Sequence, residues 1–113
     1  MKSKILALSK NEEFKNLIKQ KKITNKYVSI FFGKLINKDK KRLNISFVTK
    51  KKIGNAVKRN KIKRRLRNIM NEAVKKIKIN FDYSFLVIAK SSMLNNEYKI
   101  IKETLFQDFA KIK

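Results

Sequence analysis

The sequence predicts a single small α+β domain, and three patterns lead there. From Asn55 to about Ile77 apolar residues return at spacings of three and four, the mark of a long helix with one buried stripe. Tyr27 to Phe32 and Leu43 to Val48 are rich in β-branched and aromatic side chains, and Asp82 to Ala89 is a nearly continuous apolar run, so strands flank that helix on both sides. No linker or internal repeat breaks the chain, and residues 1–113 read as one domain. A chain of this length buries roughly 60 to 70% of its unfolded surface, enough to fold without a staple.

The elements follow in order. Ser9 and Glu12 have the Ser-x-x-Glu spacing of a capping box, and Phe14, Leu17 and Ile18 recur on one face behind them. That predicts a first helix over about residues 9–20, followed by a polar, basic stretch from Lys19 to Lys26. In the strand at 27–32, Tyr27, Ser29 and Phe31 point one way, while Val28, Ile30 and Phe32 point the other. Asn37 to Lys41 has no apolar residue and reads as a turn, so the strand at 43–48 is expected to complete a hairpin with it.

Lys50, Lys51 and Lys52 then lead out of the sheet. Gly54, one of only two glycines, marks a backbone position with unusual dihedrals just before Asn55, a good N-cap. Along the helix that follows, Ile62, Leu66, Ile69, Met70, Ala73 and Ile77 form the buried stripe. At about 100° per residue the opposite side collects Asn60, Lys61, Arg64, Arg67, Asn68, Asn71 and Lys75. Tyr98, Ile101, Leu105, Phe109 and Ile112 define a closing amphipathic helix.

The formal charge of +23 is concentrated rather than spread. Of the 32 residues from Lys40 to Asn71, 13 are Lys or Arg and none is acidic; Glu72 is the only acid between residues 40 and 81. A merely solvated helix interleaves Glu with Lys at a spacing of four, which this one does not. The stripe is therefore the electrostatic footprint of a nucleic-acid partner. Four of the five arginines (Arg59, Arg64, Arg65 and Arg67) fall within nine residues, and arginine supplies the planar fork that grips phosphate at two points. Arg59 lies near the apolar stripe by helical angle. It sits either in an irregular first turn or leans past the helix end over the sheet, where it would meet a strand of nucleic acid.

Composition also excludes chemistry. No cysteine means no disulfide or thiolate site, and no histidine removes the commonest general base and metal ligand. Glu12 and Glu13 are neighbours whose side chains diverge on a helix, and the other acids are scattered, so no catalytic or metal site is assigned to the chain. No apolar run is long enough to cross a membrane, and the apolar stretch near the start is too short for a signal peptide; a soluble, cytoplasmic protein is expected. Tyr27, Ser29 and Phe31, facing Phe14 and Ile18 of the first helix, read either as core or as a second aromatic face rimmed by lysines. Such a face suits unpaired bases, which stack at about 1 to 3 kcal/mol each.

Ala56-Val-Lys-Arg-Asn-Lys-Ile-Lys-Arg-Arg-Leu-Arg67 resembles the arginine-rich "RNR" signature of the bacterial ribonuclease P protein family, and Lys51-Lys-Ile-Gly-Asn55 resembles its lead-in. The resemblance extends over Asn11-Glu-Glu-Phe14, the strand at 27–32 and Val87-Ile-Ala-Lys90. It implies a two-layer α/β sandwich like the second domain of ribosomal protein S5, with a small mixed sheet and a left-handed βαβ crossover through the long basic helix. It further implies a protein that assists an RNA subunit, which uses Mg²⁺ to cut precursor tRNA and release the 5′ leader. Carried onto this chain, Lys50, Lys51, Lys52, Arg59, Asn60, Lys61, Lys63, Arg64, Arg67 and Asn68 would contact RNA. Phe14, Ile18, Tyr27, Ser29 and Phe31 would line the leader cleft. Lys61 stands where the family signature has Arg, and Ile18 where related proteins often carry an aromatic.

The expected partners are the catalytic RNA and precursor tRNA, with no membrane and no obligate protein partner. The alternative class is a non-enzymatic ribosomal or RNA-chaperone protein using the same helix, and a duplex-DNA architectural protein ranks below it. Only the first reading requires a change in precursor cleavage.

Overall fold

The structure is a computed structural model that describes residues 5–6, 11–34 and 41–112. In chain order they form β1 (Ile5–Leu6), α1 (Asn11–Ile18), β2 (Lys21–Thr24), β3 (Val28–Gly33), β4 (Leu43–Val48), α2 (Ala56–Lys76), β5 (Ser84–Ala89) and α3 (Tyr98–Lys111). Short 3₁₀ turns at Lys51–Ile53 and Ser91–Leu94 precede α2 and α3. Ser9, the expected helix cap, and residues 37–40 of the expected turn lie outside the described residues.

The five strands form one mixed sheet in the order β1-β4-β5-β3-β2. β5 runs parallel to β4 and antiparallel to β3, so α2 is the crossover between two adjacent parallel strands. Here the structure corrects the sequence: the strands at 27–32 and 43–48 do not form a hairpin, because β5 lies between them. The physical reason is that β5 is buried on both faces along nearly its whole length, which suits the middle of a sheet. The hairpin of this fold is β2–β3 instead. Its turn is made by Asn25, whose Oδ1 accepts the backbone N–H groups of Tyr27 at 2.7 Å and Val28 at 2.9 Å. β2 hides in the sequence because it is an edge strand with Lys21 and Lys22 exposed and only Ile23 half-buried, and lysines on such an edge deter pairing with another chain.

The alternation of the strands sorts two unequal layers. Val28, Ile30 and Phe32 of β3, with Phe85, Val87 and Ala89 of β5, meet Ile62, Leu66, Ile69, Met70 and Ala73 of α2 and Ile101, Leu105 and Phe109 of α3 in the main core. The stripe read from the sequence is thus buried from Ile62 to Ala73, while Ile77, its last residue, is half-buried and caps the helix end. On the other face, α1 is the one helix among the described residues, packing Leu17 and Phe14 against Phe31, Val48, Leu86 and Ile88. Eight residues of helix cover only part of that face.

The entry into α2 is tightly defined. Gly54 has φ 158° and ψ −166°, a region open essentially to glycine alone, and a Cβ there would also come within 2.8 Å of Lys58 Cδ. Asn55 Oδ1 then caps the helix by accepting the Lys58 N–H at 3.0 Å. At the start of α3, Tyr98 lies beside the Glu72–Lys102 ion pair (3.1 Å), and burial, then the Glu72 charge, pushes its hydroxyl pKa above the usual value. No helix among the described residues is long and apolar enough to cross a membrane.

Candidate nucleic-acid interface

Because α2 buries one stripe, it must present the rest. Asn60, Lys61, Arg64, Arg67 and Asn68 are exposed, and Lys63 is half-buried. Lys61, Arg64 and Asn68 follow Val57 at helical spacing, and Val57, 77% exposed, places an apolar methyl pair at the head of the same face. Lys50, Lys51 and Lys52 are exposed just ahead of it. The face carries cations and amides in a row, which suits a polyphosphate backbone.

The four clustered arginines do not share one role. Arg65 turns away from that face, and its guanidinium Nη1 donates to the Met93 carbonyl at 3.3 Å, joining α2 to the turn before α3. Arg65 is also the one member of the cluster not placed among the RNA-contacting residues from the sequence. The first turn of α2 is regular at Arg59, whose N–H bonds to the Asn55 carbonyl at 3.1 Å, and its side chain is half-buried. The Arg59 Nε is buried with no hydrogen-bond partner, a donor in want of an acceptor.

The second surface is the sheet face that α1 only partly covers. Phe14 and Phe31 are half-buried there and keep ring surface accessible, while Ile18 is 49% exposed at the end of α1. Tyr27 differs from its neighbours. It precedes β3, its ring belongs to the main core and it is only 4% exposed, so it offers no stacking surface in this structure. The period-two pattern misplaced it because the bend at Asn25 to Tyr27 breaks the alternation before β3 begins.

Toward the start of β3 and the end of β5 the same face opens into a hollow of about 540 Å³, with Ser29, Ile88 and Ala89 lining it together with Lys50, Lys52, Ile53, Lys90 and Ser91. Lys90 did not figure among the site residues read from the sequence. Its Nζ donates to the Asn25 carbonyl at 2.6 Å and to Thr24 Oγ1 at 3.1 Å, and Thr24 Oγ1 in turn lies 2.9 Å from Ser29 Oγ. The sequence signal that existed was its place just past the central strand, as the last residue of Val87-Ile-Ala-Lys90. Lys52 lines the hollow and lies two residues before Gly54, where the chain turns into α2, so a short turn links the hollow to the start of the basic helix. Among the described residues no three acidic side chains gather where they could hold a metal ion. What the two surfaces offer is cation, amide, hydroxyl and aromatic ring.

Known proteins are similar to this chain in sequence and in fold. The family model for ribonuclease P matches residues 3–113. The ribonuclease P protein component of Carboxydothermus hydrogenoformans is 36% identical over 102 residues, covering 87% of this chain and 83% of that one. That of Bacillus pumilus is 37% identical over 105 residues, covering 92% and 85%. Among solved structures, the RNase P protein from Staphylococcus aureus at 2.0 Å superposes with a TM-score of 0.74 at 30% identity, over 94% of this chain and 95% of that one. The RNase P protein from Thermotoga maritima gives a TM-score of 0.79 over 96% and 98%, and at 23% identity shares the fold.

Proposed function

The chain belongs to the ribonuclease P protein family, and we propose that its two basic surfaces divide the work of the assembled enzyme between catalytic RNA and substrate. It is a protein component of ribonuclease P, an accessory subunit of an endonuclease that acts in processing the 5′ end of tRNA. In this reading the exposed face of α2, with Lys51, binds the phosphates of the catalytic RNA. The half-covered sheet face takes the single-stranded 5′ leader of precursor tRNA, with bases against Phe14 and Phe31 and phosphates against Lys50, Lys52, Lys90 and Arg59.

What supports this division is that Lys52, which lines the hollow, stands only four residues before α2 begins, so the two surfaces are joined through one short turn of the chain. The charge lowers the cost of bringing two polyanions together, which is where a protein lacking histidine and cysteine can contribute. The hydrolysis itself belongs, in this reading, to the RNA subunit. Mg²⁺ is assigned, in the same reading, to the RNA and substrate. A cytoplasmic location is part of the same proposal. The family match and the similar structures give no support to the ribosomal or RNA-chaperone alternative.

The deciding experiment is multiple-turnover cleavage of a labelled precursor tRNA by a bacterial ribonuclease P RNA at low Mg²⁺, with and without this protein. Stimulated cleavage giving the mature 5′ end is expected. Tight RNA binding with no stimulation across a series of salt and Mg²⁺ concentrations would return the protein to the RNA-chaperone class.

A further inference from the structure

We propose that Asp108, on α3, is a positioning residue for the leader hollow, acting through Asn25 on the Lys90 ammonium; the proposal rests on the reading of the hollow given above. Asp108 is buried, and a buried carboxylate is costly unless it is well bonded. Its Oδ2 accepts a hydrogen bond from Asn25 Nδ2 at 2.7 Å, across 83 positions of sequence. Its other oxygen has the more distant Lys111 ammonium at 3.9 Å. The short bond therefore joins α3, which packs on the main core, to the β2–β3 turn at the rim of the hollow.

Asn25 is fixed from every side. Its Oδ1 accepts from Tyr27 and Val28, its backbone N–H donates to the Val28 carbonyl at 3.0 Å, and its carbonyl receives Lys90 Nζ at 2.6 Å. The Lys90 backbone N–H is held as well, by the Tyr27 carbonyl at 2.8 Å. An ammonium has three donors. Two of them are used by Asn25 and Thr24, which leaves one for a phosphate oxygen in the hollow that Lys90 lines. A free lysine surrenders rotamer freedom when it binds phosphate, whereas this one has already done so on folding. The preorganisation depends on where the Asn25 carbonyl stands, and Asp108 holds the one side-chain group of Asn25 that the turn itself does not use.

The test uses holoenzyme reconstituted with a bacterial ribonuclease P RNA and reads affinity for precursor tRNA, for mature tRNA and for the RNA subunit, alongside thermal unfolding of the protein. Lys90→Met and Asp108→Ala are each expected to weaken precursor binding roughly three- to tenfold, leaving mature tRNA and RNA-subunit affinities unchanged. The double variant is expected to bind no more weakly than Lys90→Met alone. Asn25→Asp combined with Asp108→Asn exchanges the donor and acceptor across the same contact and should restore precursor affinity, which also keeps the test open if Asp108→Ala fails to fold. Full precursor affinity in Asp108→Ala, an equal loss for mature tRNA, additive losses in the double variant, or a stable exchanged pair that binds as weakly as Lys90→Met would each overturn the positioning role. If Lys90→Met itself leaves precursor affinity intact, it is the reading of the hollow that fails, and the proposal with it.

Discussion

The Lys22 ammonium lies 5.8 Å from the centre of the Phe31 ring, and Lys22 is the residue directly opposite Phe31 in the β2–β3 register. Opposed residues of an antiparallel pair share a face, so this cation and this ring look out together onto the side that α1 only partly covers. A base stacked on Phe31 would bring its phosphate within reach of Lys22. Replacing Phe31 with Ala is expected to weaken binding of precursor tRNA by about 1 to 3 kcal/mol, while mature tRNA binds as before. Fluorescence titration of the two substrates checks this, and an equal loss for both would make Phe31 a packing residue.

Arg64 and Arg67 lie exposed on α2, on the face proposed to meet the catalytic RNA rather than the leader. Substituting both with Ala should flatten the dependence of RNA affinity on salt by about one to two phosphate contacts. The measurement is the slope of log affinity against log salt for the RNA subunit alone, and an unchanged slope would remove that face from the interface.

Arg65 should behave in the opposite way, although it stands between those neighbours in the same cluster. Its bond to the Met93 carbonyl makes it a link between helices. Arg65→Met is expected to lower stability by about 1 kcal/mol and to leave the salt slope of RNA binding untouched, as denaturant unfolding and the same titration would show.

Gly54→Ala forces a side chain into a backbone region that L residues rarely adopt, against Lys58. A cost of about 1 to 3 kcal/mol in unfolding free energy is expected. Because the strain falls between Lys52 and the Asn55 cap, RNA affinity should fall together with stability, in contrast to a core substitution such as Leu66→Ala.

What the sequence made legible was what repeats along one element. The buried stripe of α2, its Asn55 cap and its exposed Asn60, Lys61, Arg64, Arg67 and Asn68 all follow from a helical period that no neighbour disturbs. What it hid was set by partners distant in sequence. β2 passes for a loop because its lysines face solvent, and nothing local in β3 and β4 says that β5 will separate them. Tyr27 left its expected face because a side-chain turn at Asn25 intervenes, and Lys90 gained its place in the hollow from contacts 65 and 66 positions away.

The strand in the middle of the sheet is the last one to be synthesised. Until residue 89 has left the ribosome, β1–β4 and β2–β3 are two separate pairs with no strand in common, since only β5 borders both β4 and β3. By then the whole of α2 has already been made, so the most cationic segment of the chain is complete before the sheet it packs on can close. Long-range closure of this kind is slow and leaves apolar edges open in the meantime. An RNA that reached α2 at that stage would meet the helix before its core existed, and would act on how the protein folds as well as on what it later binds.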